Sequence, residues 1–137
     1  MMQSFEGDPK QLSPLVLAYV GDAVFELYIR TQLAAQRGRI HELHKAAVHY
    51  VQAKSQAEIV HQWEPLLTEE EKVIVRRGRN ARSTPPRSAA VADYKYSTGF
   101  EALLGYLYLS RQEERLLELL SHLHVDLRDE DGRIRLD

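Results

Sequence analysis

Two acids stand where acids are costly. Asp22 lies inside Leu15 to Arg30, LVLAYVGDAVFELYIR, a stretch apolar on nearly every side for four turns. Glu101 repeats the arrangement inside Phe100 to Leu109, FEALLGYLYL. An ionised carboxylate taken out of water costs roughly several kcal/mol unless a cation or donors compensate it. The flanking residues predict that Asp22 is buried, and burial predicts a partner. If the two segments are helices that pack together, the pair could hold a hard cation. Mg²⁺ is normally bound by one or two carboxylates, with waters and substrate phosphate completing the octahedron. Such an ion can activate water and stabilise charge on a phosphodiester under attack. Structural readings stay open beside that one. Asp22, Glu26 and Arg30 are spaced i, i+4, i+8 and could form one salt-bridged stripe. Glu101 follows Thr98 by three, the spacing of a capping box. Gly21 argues for function, because it thins the helix where a ligand or another backbone could approach. Tyr94, Tyr96 and Phe100 predict a helix that starts before Thr98, which weakens the cap.

The charge distribution points the same way. Between Lys72 and Lys95 lie Lys72, Arg76, Arg77, Arg79, Arg82, Arg87 and Lys95 against Asp93 alone, although the net charge of the chain is only −2. A basic patch on an acidic body suits a polyanion docking in one place. Carboxylates for a cation and arginines for phosphates are the parts of a nuclease. A non-catalytic RNA-binding protein and a helical protein–protein adaptor with structural acids remain the competing classes.

Around these residues the pattern is all-α. The 137 residues fit one domain, 1–137, with a core over about 12–125. Ser13-Pro14 reads as a cap and first turn, opening a helix to about Gln36 that Gly38 stops. A second helix is predicted from about Ile40 to Trp63, on Ile40, Leu43, Ala47, Val51, Ala57, Ile59 and Val60. His41 and His44 on it have a metal-compatible spacing but no accompanying motif, so a solvated or RNA-facing surface is the better reading. Thr68 followed by three glutamates caps a third helix that ends near Gly78. Arg79 to Ser88 must be a basic loop because Pro85-Pro86 break any regular element. Helices follow over about 89–109 and 112–124, and the charged tail from Asp126 is predicted to fray. No strand pattern is visible. The absence of cysteine excludes disulfides and thiolate metal sites and agrees with a cytoplasmic protein. No signal peptide is predicted, since MMQSFEGDPKQ has no basic region followed by an apolar core, and no membrane span, since Asp22 and Glu26 interrupt the longest apolar run.

Ala18 to Glu26, AYVGDAVFE, resembles the signature helix of the ribonuclease III family, whose core is LGDAVL preceded by acids. Phe100 to Leu109 resembles that family's second motif, FEALIGAIYL, and the order and separation of the blocks are similar. A third block, Arg76 to Arg82, with Tyr94 to Ser97 before the second motif, is similar to the bacterial Mini-ribonuclease III subfamily. The resemblance implies a homodimeric, all-α endonuclease that cuts both strands of double-stranded RNA, leaving a 5′ phosphate and a short 3′ overhang. It implies Mg²⁺ as cofactor, with Mn²⁺ as a substitute, held by Asp22 and Glu101. The implied substrate is the precursor of 23S ribosomal RNA, with a ribosomal protein left open as a further partner. Arg76, Arg77, Arg79, Asn80, Arg82 and Lys95 are the expected phosphate contacts. The chain departs from the full-length enzymes at Ala18, where they have glutamate, and at Thr98, where they have aspartate. It is also expected to lack their double-stranded-RNA-binding domain, which leaves more of the gripping to the basic loop. The face carrying Val16, Val20, Val24 or Leu27 is the candidate dimer seam.

Overall fold

A computed structural model describes residues 4–87, 89–128 and 134–136. Six helices carry the fold: α1 (Pro14–Ala34), α2 (Ile40–Val51), α3 (Ala53–Trp63), α4 (Glu69–Asn80), α5 (Val91–Leu109) and α6 (Glu113–Leu120). The two caps read from sequence are present. The Ser13 hydroxyl accepts from the Val16 N–H, and Thr68 with Glu71 closes a reciprocal box at the start of α4.

α5 is the helix around which the others stand, with α1, α3 and α4 packed directly on it. From Ser97 to Leu107 every residue except Glu101 is buried, as an all-round apolar helix requires. Phe100 is its anchor. It meets Phe25 of α1 edge-on at 4.9 Å and Trp63 of α3 at 5.3 Å. Where α1 crosses α5, two glycines let the backbones touch. A Cβ on Gly21 would collide with the Glu101 carbonyl and lie 2.8 Å from the Gly105 nitrogen; a Cβ on Gly105 would collide with the Leu17 carbonyl. Gly78 and Gly99 make a similar approach between α4 and α5.

α1 buries one ridge, Leu17, Gly21, Phe25, Ile29 and Leu33, spaced by four. The opposite ridge stays in solvent: Leu15, Val16, Tyr19 and Leu27 are exposed, Tyr19 to 81%. Asp22 is exposed, not buried as its neighbours predict, because it lies off the ridge of α1 that is buried in the core. The salt-bridged stripe is real only in part: Arg30 donates to Glu26 at 2.9 Å, and Asp22 takes no part in it.

Four other expectations are corrected. The predicted helix over 40–63 is two helices, broken where Gln52 turns extended at ψ 147°. α4 runs through Gly78 to Asn80, because that glycine packs on α5 instead of ending the helix. The turn after α1 places Arg37, at φ 59°, in the left-handed region, where Gly38 was expected to supply the stop. The last helix ends at Leu120, and a short antiparallel pair follows, β1 (Leu123–His124) with β2 (Arg135–Leu136). Ile134 is buried beside it, so the described part of the tail is docked; residues 129–133 and 137 lie outside the described residues. Gln36 and Tyr50 hold this segment through the backbone of His124 to Leu127, at 2.8–3.4 Å.

α4 is tied to α6 by one buried ion pair. Glu71 accepts from Arg115 Nε and Nη2 at 2.9 and 2.8 Å, and Arg115 also donates to the Leu66 carbonyl. These bonds hold the Glu71 carboxyl below its usual range despite the opposing effect of burial.

Candidate active site

The glycine contact decides where the acids lie. Asp22 follows Gly21 on α1, and Glu101 carries the carbonyl that Gly21 abuts on α5, so the two carboxyls are brought together. Glu101 shows the effect: its pKa is pushed up to about 8, first by burial, then by the charge of Asp22 and a hydrogen bond shared with it. Facing carboxylates ordinarily share a proton unless a cation neutralises them. No group of three or more histidines, aspartates or glutamates able to hold a metal occurs among the described residues. Two carboxylates with open coordination are nevertheless a donor set that fits a hard dication. His41 and His44 stand exposed on α2, in keeping with a solvated surface.

The positions one turn before each acid are closed to ligation. Ala18 is buried and bears no donor atom; Thr98 is buried and donates its hydroxyl to the Tyr94 carbonyl at 3.0 Å. Since α5 begins at Val91, Thr98 lies well inside the helix and is no cap. One polar residue near the acids carries no mark in the sequence. Gln56 of α3 is buried, faces Glu101, and favours its charged form. Along the chain it falls within an apolar face, with no motif to single it out.

The basic residues separate into groups. Arg76, Arg82 and Lys95 are exposed, and no hydrogen bond or ion pair engages them among the described residues. Arg79 donates to Asn80 Oδ1 at 3.2 Å and to the Tyr96 hydroxyl at 3.4 Å, with its guanidinium 5.7 Å from the Tyr96 ring centre. Arg77 is turned the other way: it donates to the carbonyls of Lys10 and Leu12 at 3.3 and 3.0 Å, tying the N-terminal segment to α4. Its guanidinium is thus occupied apart from the Arg76 and Arg79 group. A cavity of about 140 Å³ opens where His61, Lys72, Arg76, Arg79 and Tyr96 converge. The His61 ring meets that of Tyr96 tilted by 53°, with centroids 4.2 Å apart. Tyr96 precedes Glu101 by five residues on α5, about 7.5 Å of helical rise. His61, Lys72 and Tyr96 were not among the expected contacts; aromatics interleaved with the basic run were the available signal.

The ribonuclease III domain family matches residues 15–112. The chain is 59% identical over 111 residues to a Mini-ribonuclease 3 of Thermoanaerobacter sp. (strain X514), covering 80% of this chain and 78% of that one. It is 53% identical over 116 residues to the Mini-ribonuclease 3 of Symbiobacterium thermophilum, covering 82% and 88%. A crystal structure of a protein from Fusobacterium nucleatum superposes with a TM-score of 0.79 at 37% identity, over 85% of this chain and 96% of that one.

Proposed function

The chain belongs to the ribonuclease III family and is an endoribonuclease of that type, and from that premise we propose that it cuts double-stranded RNA with Mg²⁺ held between Asp22 and Glu101. The observation that carries the proposal is the pair itself: two carboxylates on adjoining helices, brought side by side where a glycine contact lets the two backbones touch. Mn²⁺ has the same preference for oxygen ligands and serves as a substitute. When bound, the ion supplies activated water and neutralises charge on the phosphodiester.

The chain's own residues do the rest. Asp22 is exposed and presents its carboxylate at the surface, while Glu101 beside it is partly buried. Arg76, Arg79, Arg82 and Lys95 bind backbone phosphates, with Asn80 fixing the Arg79 side chain. Double-stranded RNA is recognised mostly through shape, phosphates and 2′-hydroxyls, and Arg76 and Arg79 at a cavity beside Tyr96, with exposed Arg82 and Lys95, suit that. The substrate proposed is the precursor of 23S ribosomal RNA in the cytoplasm, cut to leave a 5′ phosphate. Among the described residues no helix is long and apolar enough to cross a membrane. Duplex RNA incubated with Mg²⁺ should be cut on both strands, and chelator should stop it. Binding without cleavage would favour a non-catalytic RNA-binding protein, and neither would favour an adaptor.

Two strands call for two sites, and the exposed ridge of α1 supplies a seam. Leu15, Val16, Tyr19 and Leu27 form an apolar face along one helix, the kind of surface that a two-fold partner covers with its own copy. The wild type should sediment at about twice the 15.8 kDa chain mass at micromolar concentration. Leu27→Glu should sediment as a monomer and lose double-strand cutting, because a charge at a symmetric seam meets itself. A Leu27→Glu protein that remains dimeric would place the seam elsewhere.

Arg79 and Arg82 are expected to contribute binding rather than chemistry. Each phosphate that an arginine no longer grips should reduce the slope of log K against log salt by roughly 0.7–0.9. Changing both to Ala should therefore weaken duplex binding and flatten its salt dependence, with partial cleavage at saturating RNA. Unchanged affinity and slope would move the RNA off this face.

A further inference from the structure

Gln56 comes from α3, a helix that carries neither acid, yet it lies at the acid pair. It is 2% exposed and sits in the buried run Ser55, Gln56, Ala57, Ile59, Val60. Ser55 is engaged elsewhere, its hydroxyl donating to the His49 carbonyl at 2.6 Å. Gln56 faces Glu101, and its amide favours the charged Glu101 carboxylate. Among the described residues its Nε2 has no hydrogen-bond partner. A buried donor in that state costs folding energy that an apolar side chain of equal length would not. Packing alone therefore does not account for an amide here.

The neighbouring positions sharpen the point. Ala18 offers Glu101 nothing, and Thr98 spends its hydroxyl on the Tyr94 carbonyl. Asp22, the group closest in kind, is a like charge. A neutral donor is what the Glu101 carboxylate lacks. A lysine or arginine would compete with a cation for the pair, and an acid would add to the repulsion; an amide does neither.

We propose that Gln56 is the positioning residue of the acid pair: its Nε2 donates to one Glu101 oxygen, fixing the rotamer that presents the other oxygen beside Asp22 to a divalent cation. The inference rests on the cation-holding role of Asp22 and Glu101. In the charged pair the orphan donor gains a full partner, so cation binding and amide satisfaction favour the same arrangement. Outer groups that orient metal ligands are commonly worth about 10–100-fold in metal affinity.

The test is Mn²⁺ binding, read from the free-ion electron paramagnetic resonance signal of the intact protein without RNA. Gln56→Met should fold, melt in chelator at or above the wild-type temperature, and bind Mn²⁺ about 10–100-fold more weakly. Its cleavage should recover at raised Mn²⁺, and its duplex binding in chelator should be unchanged. Wild-type Mn²⁺ affinity in folded Gln56→Met overturns the inference. Should that variant not fold, the wild type answers through nuclear magnetic resonance. The side-chain amide of Gln56 should shift to the hydrogen-bonded range as Mg²⁺ is added, and an unmoved resonance overturns the inference equally. The Asp22→Asn protein separates the two levels. If it binds Mn²⁺ as the wild type does, the site itself is misassigned and Gln56 falls with it; if only it loses Mn²⁺ and Gln56→Met does not, only Gln56 is wrong.

Discussion

Asp22→Asn and Glu101→Gln are each expected to remove at least about 100-fold of duplex cleavage, since even groups that only orient metal ligands are worth about 10–100-fold. Duplex binding should persist, because the phosphate contacts proposed above lie on α4, the basic loop and the start of α5. An amide keeps the size of the acid and one oxygen but loses the charge a hard cation needs. Stability gives a second, independent readout. Glu101 ionises near 4.5 in the unfolded chain and near 8 in the fold, so between those values the native protein holds a proton that the unfolded chain releases. Its contribution to stability is complete below pH 4.5 and is lost as pH rises through 8. Glu101→Gln escapes that loss. In chelator its melting temperature should gain on wild type steadily from pH 5 to about pH 8, the upper limit set by Glu101. Mg²⁺ should narrow the gap, since an ion that binds only the folded state stabilises the wild type. Variants that melt below wild type in chelator, yet still cut RNA with metal, would make these carboxylates architecture.

Gly21→Ala should be nearly as damaging to activity and far worse for the fold. The added methyl meets the Glu101 carbonyl and the Gly105 nitrogen, which are backbone atoms and cannot rotate aside. α1 and α5 would have to move apart along the contact that brings the acids together. Overpacking typically costs about 1–3 kcal/mol, and a backbone collision at a helix crossing belongs at or above the top of that range. For a chain of this size about 3 kcal/mol corresponds to a fall of roughly 10 °C in melting temperature. Cleavage should fall as well at a temperature where the variant remains folded, because a shift of about 1 Å at reacting groups can cost about 100-fold. A Gly21→Ala protein with wild-type melting and cleavage would show that the helices do not meet at this glycine.

Both behaviours trace to residues that the chain displays openly. An acid inside an apolar helix is conspicuous, and Gly21 and Gly105 stand within those same two segments. Helix starts were legible where a side chain makes the cap, as at Ser13 and Thr68. Features that depend on what lies across the fold were not. The break at Gln52 has no glycine or proline to announce it, and it appears only once α2 and α3 pack in different directions. Gly78 looks like a stop in sequence and is a contact in space. Asp22 looked buried because apolar neighbours on a helix imply packing somewhere, and half of those neighbours face outward. Arg77 cannot be told from Arg76 by type, but one turns to the N-terminal segment and the other to solvent. Gln56 was silent for the same reason: its significance is a distance to Glu101, not a pattern along α3.

The crossing of α1 and α5 also imposes an order on synthesis. Asp22 and Glu101 are separated by 79 positions, and at about 5–20 residues per second the ribosome makes the second roughly 4–16 s after the first. Until α5 has emerged, α1 has no crossing partner and Glu101 does not face Asp22. The pairing is long-range, so chain closure and not local helix formation should set the folding rate. If the acid pair does the cutting proposed for it, a nascent chain spends its translation unarmed beside the RNA that encodes it, with the first acid made and its counterpart still to come.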